Sequence, residues 1–295
     1  MKRSLILLPM LALATALAAA PVDRVLKFAT DANVQGNLRN GPVDYTGLNG
    51  AAIKASVNNV NITAPKAVLS APAGGTLDGS IGKRTAIFSG GISVVRGRLQ
   101  AKGDQLAYSE VTGQGVMTGT PSAVFVPDKD KGDPVNIRAA QMSLDIDNNQ
   151  STSTGSVQLA SGTQTGKADK LVFDEDREVG VMTGNPSMSR AASAKQKELV
   201  ITGTEARVVT KGKLLYVSGK VRLTQGTIVT TGDAVYYDDI KNTAYVVGNA
   251  KSVDSKGGQQ VSARVLLQRT DLARVSQFSG TYQIPTQNFK LTGEK

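Results

Sequence analysis

The chain has no cysteine, no histidine and no tryptophan, and only 4% of its residues are aromatic. Without cysteine there is no disulfide, no thiolate nucleophile and no lipid attached through a thiol. Losing cysteine and histidine together also removes the common metal ligands and the Ser-His-Asp arrangement. Beyond the first 20 residues no long apolar run remains, and no sustained 3.6-residue apolar spacing marks a long helix. Carboxylates are what is left for chemistry. Asp174-Glu175-Asp176 and Asp238-Asp239 fall where a chain reversal is expected and read as turn residues. Asp128, Asp130, Asp133, Asp145 and Asp147 match no calcium-loop spacing and read as a solvated face. No catalytic residue, metal site or cofactor is expected, so the chain is read as a non-enzyme.

What the sequence does have is glycine, 31 of them, and alternation. In Gly219 to Ala250 the apolar residues take every second place: Val221 and Leu223, Val235 and Tyr237, Tyr245 and Val247. Period two is the mark of half-buried strands, and Gln225-Gly226, Thr231-Gly232-Asp233, Asp238-Asp239 and Gly248-Asn249 read as the turns between them. The same unit recurs without a gap at Gly155 to Pro186 and at Gly90 to Pro121. Asp104, Asp169 and Asp233 anchor the three copies at intervals of 65 and 64 residues. Each Asp is preceded by Gly90, Gly155 or Gly219 and followed by an aromatic, Tyr108, Phe173 or Tyr237. Half-units fill the gaps, at Ile137 to Leu144, Ile201 to Val208 and Val261 to Leu267. A rung of about half that period lies in the range of stacked repeat architectures.

The chain opens with Met1-Lys2-Arg3 and an apolar run to Ala20 that ends in small residues, a secretory signal peptide by its pattern. Cleavage after Ala18 leaves residues 19–295 as one elongated β-repeat domain. Residues 19–89 hold degenerate repeats, 90–250 the clear ones, and 251–295 a C-terminal edge. A retained anchor is the alternative, but the run is shorter than the roughly 20 apolar residues a spanning helix needs. The formal charge of +10 suits an exported surface that meets anionic lipids or acidic polymers. Charged residues are scattered along the sequence, with no basic stripe and no interleaved aromatics, so nucleic acid is not expected as a partner.

The run Gly232-Asp233-Ala234-Val235-Tyr236-Tyr237-Asp238 followed by Tyr245-Val246-Val247-Gly248-Asn249-Ala250 resembles the OstA-like family, the LptA and LptC periplasmic proteins of lipopolysaccharide transport. Ala168 to Asp174 and Val181 to Pro186 repeat it. The resemblance implies an all-β fold of stacked antiparallel strands, a V-shaped, jelly-roll-like or taco-like groove with open ends that join other copies and partners edge to edge. It implies outer-membrane biogenesis as the setting and a periplasmic location.

Alternation alone places Ile92, Val94, Leu106, Tyr108, Val157, Leu159, Leu171, Phe173, Val221, Leu223, Val235, Tyr237, Tyr245 and Val247 on one internal stripe. That stripe reads either as a dry core or as a lipid-binding groove; the resemblance implies the groove. The expected function is a periplasmic carrier or bridge for an amphipathic envelope lipid, lipopolysaccharide or similar. Inner- and outer-membrane transport proteins would join it by strand addition. The alternative is a structural or adhesive repeat protein that binds acidic polymers through its basic surface. Val25 to Phe28 and Phe289 to Leu291 are the expected edge strands, giving end-to-end self-association.

Overall fold

The computed structural model describes residues 23–29, 31–128, 132–194 and 196–295; the expected signal peptide lies outside them. Twenty-three strands form one continuous antiparallel sheet among the described residues. The repeat unit is built on strands of 11 or 12 residues, such as Thr85–Arg96 with Leu99–Ser109, Gln150–Ser161 with Gln164–Asp174, and Leu214–Gln225 with Ile228–Asp238. Each pair is a hairpin closed at Gly97, Gly162 or Gly226, all with positive φ.

Midway along, the ladder slips between Ser89 and Ile92, Thr154 and Val157, Ser218 and Val221, Thr231 and Ala234, and Val247 and Ala250. The slips line up into a fold line. Residues expected to be turns, Thr231-Gly232-Asp233 and Gly248-Asn249, are these bulges inside long strands and not chain reversals. The backbone explains why glycine recurs at this place. Consecutive left-handed residues make the bends in 85–96, 150–161, 214–225 and 243–254, for example Gly155 (φ 79°) with Ser156 (φ 49°) and Gly248 (φ 76°) with Asn249 (φ 48°), and a bulge bends a strand sharply. The half-units are the same long strands interrupted at the fold line: Val135–Arg138 then Gln141–Asp145, and Leu199–Thr202 then Glu205–Val209.

The fold line divides the sheet into two walls whose inner faces pack together. The first wall contains 85–89, 105–109, 170–174 and 234–238; the second contains 92–96, 99–103, 157–161 and 221–225. Side chains meet across the space between them. Phe125 of the second wall packs edge-on against Phe173 of the first at 5.1 Å. Phe28 stacks on Tyr45 at 4.0 Å and lies 5.9 Å from Phe88. The degenerate N-terminal strands, Val43–Gly47, Ile53–Val57, Val60–Ala64 and Lys66–Ser70, continue the same two walls.

The stack ends in open edges. At the N-terminal end, Lys27–Phe28 and Ala32–Gly36 each pair on one side only. At the C-terminal end, Arg274–Gln277 covers 266–269, leaving 259–263 without a further strand. Phe289 to Leu291 is not an edge strand. Thr286–Phe289 is a short 3-10 helix, and Phe289 is fully buried. Its ring lies against Tyr216 and Tyr236 on the outer face of the first wall, at 5.7 and 6.2 Å. The tail runs back over that face. Tyr282 stacks on Tyr245 at 3.9 Å, Arg207 Nη2 donates to Glu294 Oε1 at 2.7 Å, and Thr292 N donates to Asp174 Oδ2 at 2.7 Å. Burying aromatic rings outweighs adding one more strand to an edge, because Pro285 lacks the N–H a ladder needs.

Candidate functional site

The site is the space between the walls. Twelve of the fourteen stripe residues face it and are buried, from Leu159 at 4% exposure to Phe173 and Val235 at 0%. Tyr245 and Val247 do not. They stand on the outer face, and their neighbours Ala244 and Val246 point inward. Cross-strand register decides it: Val246 faces Val235 and Tyr245 faces Tyr236, and directly opposed residues share a face. Ala244-Tyr245-Val246-Val247 is apolar on both parities, so alternation could not separate them. Met117, Met142, Met182 and Met188 complete the interior, as flexible side chains that fill irregular gaps.

The interior is filled. A small cavity of ≈ 30 Å³ is lined by Met188, Leu199, Ile201, Val208, Leu215 and Tyr237. At the C-terminal end an open recess of ≈ 490 Å³ is lined by Ile228, Ser252, Val261 and Val275. Opposite the fold line, where the strand ends of the two walls come together, no backbone ladder joins them among the described residues. Side chains do. Arg96, 1% exposed, pairs with Glu175 and donates to the carbonyls of Asp145 at 2.5 Å and Gln150 at 3.2 Å. Arg98 Nη1 donates to Glu178 at 2.7 Å, and Arg190 Nε lies 3.8 Å from Asp239. Gln225 Nε2 donates to the Thr270 carbonyl at 2.5 Å, and Gln268 Nε2 to Gln225 Oε1 at 2.9 Å. At the N-terminal end Glu110 accepts from the Leu26 N–H at 2.8 Å and from Arg84 Nη2 at 2.7 Å.

Burial pushes the Glu175 carboxyl up from its ordinary value, with Arg96 working the other way. Burial and the Asp239 carboxylate both push the Tyr237 phenol up. Among the described residues, Glu178 Oε2 is buried on this seam with no hydrogen-bond partner, and Arg190 Nε is buried with Asp239 beyond hydrogen-bond distance at 3.8 Å. Sequence reading missed these seam residues. A usable signal was there: Arg96 continues the inward parity of Ile92 and Val94, and Gln225 that of Val221 and Leu223. A polar residue at a core position needs a partner.

The other candidate carboxylates among the described residues have structural duties; Asp130 lies outside them. Asp174 Oδ1 accepts from the N–H of Asp176 and Arg177, and Asp238 Oδ1 from that of Lys241, as turn residues do. Asp128, Asp133 and Asp147 are spread over separate ion pairs with Arg98, Lys213 and Arg24. Asp104, Asp169 and Asp233 sit at the fold line and not before a strand; each lies against the glycine of the next rung, Gly119, Gly184 or Gly248. No helix among the described residues is long and apolar enough to cross a membrane.

Residues 136–273, just under half of the chain, match the family described as LptA/(LptD N-terminal domain) LPS transport protein. Among curated proteins none matches the sequence. A solved structure similar in part is that of LptH, the LptA-homologous periplasmic component of the lipopolysaccharide transport device of Pseudomonas aeruginosa. It is 15% identical, with a TM-score of 0.38 over 50% of this chain and 95% of that one, a likeness too slight to bear on function. The family is one of transport proteins, in keeping with a chain whose carboxylates cap turns and pair with arginines. The match to the LptA/(LptD N-terminal domain) family over residues 136–273 agrees with the resemblance carried by the repeated Gly–Asp–aromatic units.

Proposed function

We propose that the protein is a periplasmic carrier or bridge in lipopolysaccharide transport, and that it takes the acyl chains of such a lipid between its two walls. The observation that carries this reading is the largely apolar interior, running from Ile92 to Val246 through the matched residues 136–273 with few polar side chains among them, such as Ser151 and Ser153. Burying a methylene group contributes about 0.8 kcal/mol, so six methylenes of one chain would contribute about 5 kcal/mol.

Entry has a route that spares the backbone. The seam opposite the fold line is closed by side-chain pairs, so the walls can part there without breaking a strand ladder. Buried ion pairs are replaceable at little net cost when both partners regain solvent. The unpaired Glu178 Oε2 lowers the cost further. Neighbouring transport proteins, or further copies of the chain, would add strands at the open edges 32–36 and 259–263.

Identifying lipid carried by natively purified protein, by extraction and mass spectrometry, tests the proposal. An acylated glycolipid in near-stoichiometric amount is the expected result. Protein that carries none, and that captures no added lipopolysaccharide, would overturn it.

A further inference from the structure

The outer face of the second wall holds a feature that strand register alone makes visible. Lys102 faces Ser122, which faces Arg138, which faces Gln158, which faces Lys167. Further along the same row, Lys167 faces Ser187, Ser187 faces Thr202, Thr202 faces Arg222, Arg222 faces Thr231, and Thr231 faces Lys251. In the other direction Lys102 leads through Ser93 and Thr63 to Lys54. Six cations thus stand in one line across the stack, two or three strands apart. At roughly 4.8 Å per strand those intervals are about 10 and 14 Å.

All six are exposed, and none shares an ion pair among the described residues. Every place between them is Ser, Thr or Gln. The neighbouring row toward the seam is uncharged from Ser56 through Gln100, Asn136 and Thr165 to Val253, and carries one cation, Lys27, at the N-terminal edge, where it pairs with Asp23. The carboxylates of Asp104, Asp169 and Asp233 border the cations at the fold line, each turned against the glycine of the next rung.

We infer that this row is a docking track for a linear acidic polysaccharide. Charge complementarity supplies attraction, and the hydroxyl and amide side chains between the cations are donors and acceptors for sugar hydroxyls. Its shape selects a chain over a plane. Stacked strands twist with a fixed hand, so a row of this length winds about the stack, and a flat bilayer meets only a few of its cations at once. Single-stranded nucleic acid is held by aromatic stacking, and the row has no aromatic residue. The track is separate from the space between the walls and stands whether or not that space holds lipid.

Binding of the purified protein to polygalacturonate, measured by titration calorimetry at low salt, tests the inference. The variant K102Q/R138Q/K167Q/R222Q is expected to lose on the order of thirtyfold in affinity, from four exposed pairs of ordinary surface strength. A control of equal charge, K66Q/K83Q/K241Q/R269Q, takes its residues from outside the second wall's outer face and is expected to lose less than about threefold. Equal losses in the two variants, or no loss in the first, would overturn the inference. So would row-dependent binding to phosphatidylglycerol vesicles or duplex DNA that is tighter than binding to the polysaccharide.

Discussion

The outer faces of the two walls follow the same alternation and end with opposite chemistry. On the first wall the outward row runs Tyr216, Tyr236, Tyr245, directly opposed across three strands. On the second, the equivalent strands present Arg222, Thr231 and Lys251. The first is covered by the chain's own tail, through Phe278, Tyr282 and Phe289; the second is left bare. Inward positions must satisfy one shared core, so they vary little from rung to rung. Outward positions are released from that demand, and each face can acquire a separate task.

The difference can be broken most forcefully on the tyrosine face. Phe289→Ala removes a fully buried ring from two tyrosines and is expected to cost about 3–5 kcal/mol, read as a fall in the urea midpoint; Lys290→Ala beside it should cost under about 1 kcal/mol. A smaller effect comes from the ion pair that ties the tail's end. Arg207 holds the Glu294 carboxyl well below its ordinary value of 4.5, at about 2. A carboxyl depressed on folding stabilises the fold fully above its ordinary value, and that contribution fades as pH falls through about 4.5 toward about 2. Because Glu294 is partly exposed, the effect should be about 1 kcal/mol at most. Tail amides, followed by hydrogen exchange, should lose protection over that window in the wild type and show no such step in Glu294→Gln. Smallest of all is the basic face. Lys167→Gln with Arg222→Gln should shift stability by less than about 0.5 kcal/mol, because neither residue has an ion-pair partner among the described residues.

Much of this was legible in the residues. The recurring Gly–Asp–aromatic spacing fixes the rung, and alternation identified twelve interior side chains from Ile92 to Tyr237. What failed did so for physical reasons. Gly248-Asn249 has turn composition because a fold-line bulge needs the same left-handed backbone as a turn. Tyr245 was assigned inward because its strand is apolar on both faces, its outward ring being sheltered by Tyr282 from a distant part of the chain. Phe289 looked like an edge residue because nothing local announces a partner 73 residues away at Tyr216. The basic row was invisible for a related reason. Its members come one per strand, so they look scattered in sequence, and only pairing register assembles them.

Adjacent residues on opposite faces give the most direct test of lipid between the walls. Phe173 points inward at 0% exposure, and Val172 points out from the same strand. A benzoylphenylalanine placed at either position, irradiated with bound lipopolysaccharide, should crosslink an acyl chain from position 173 and leave position 172 unlabelled. Labelling at 172 alone, or equally at both, would contradict a lipid site between the walls.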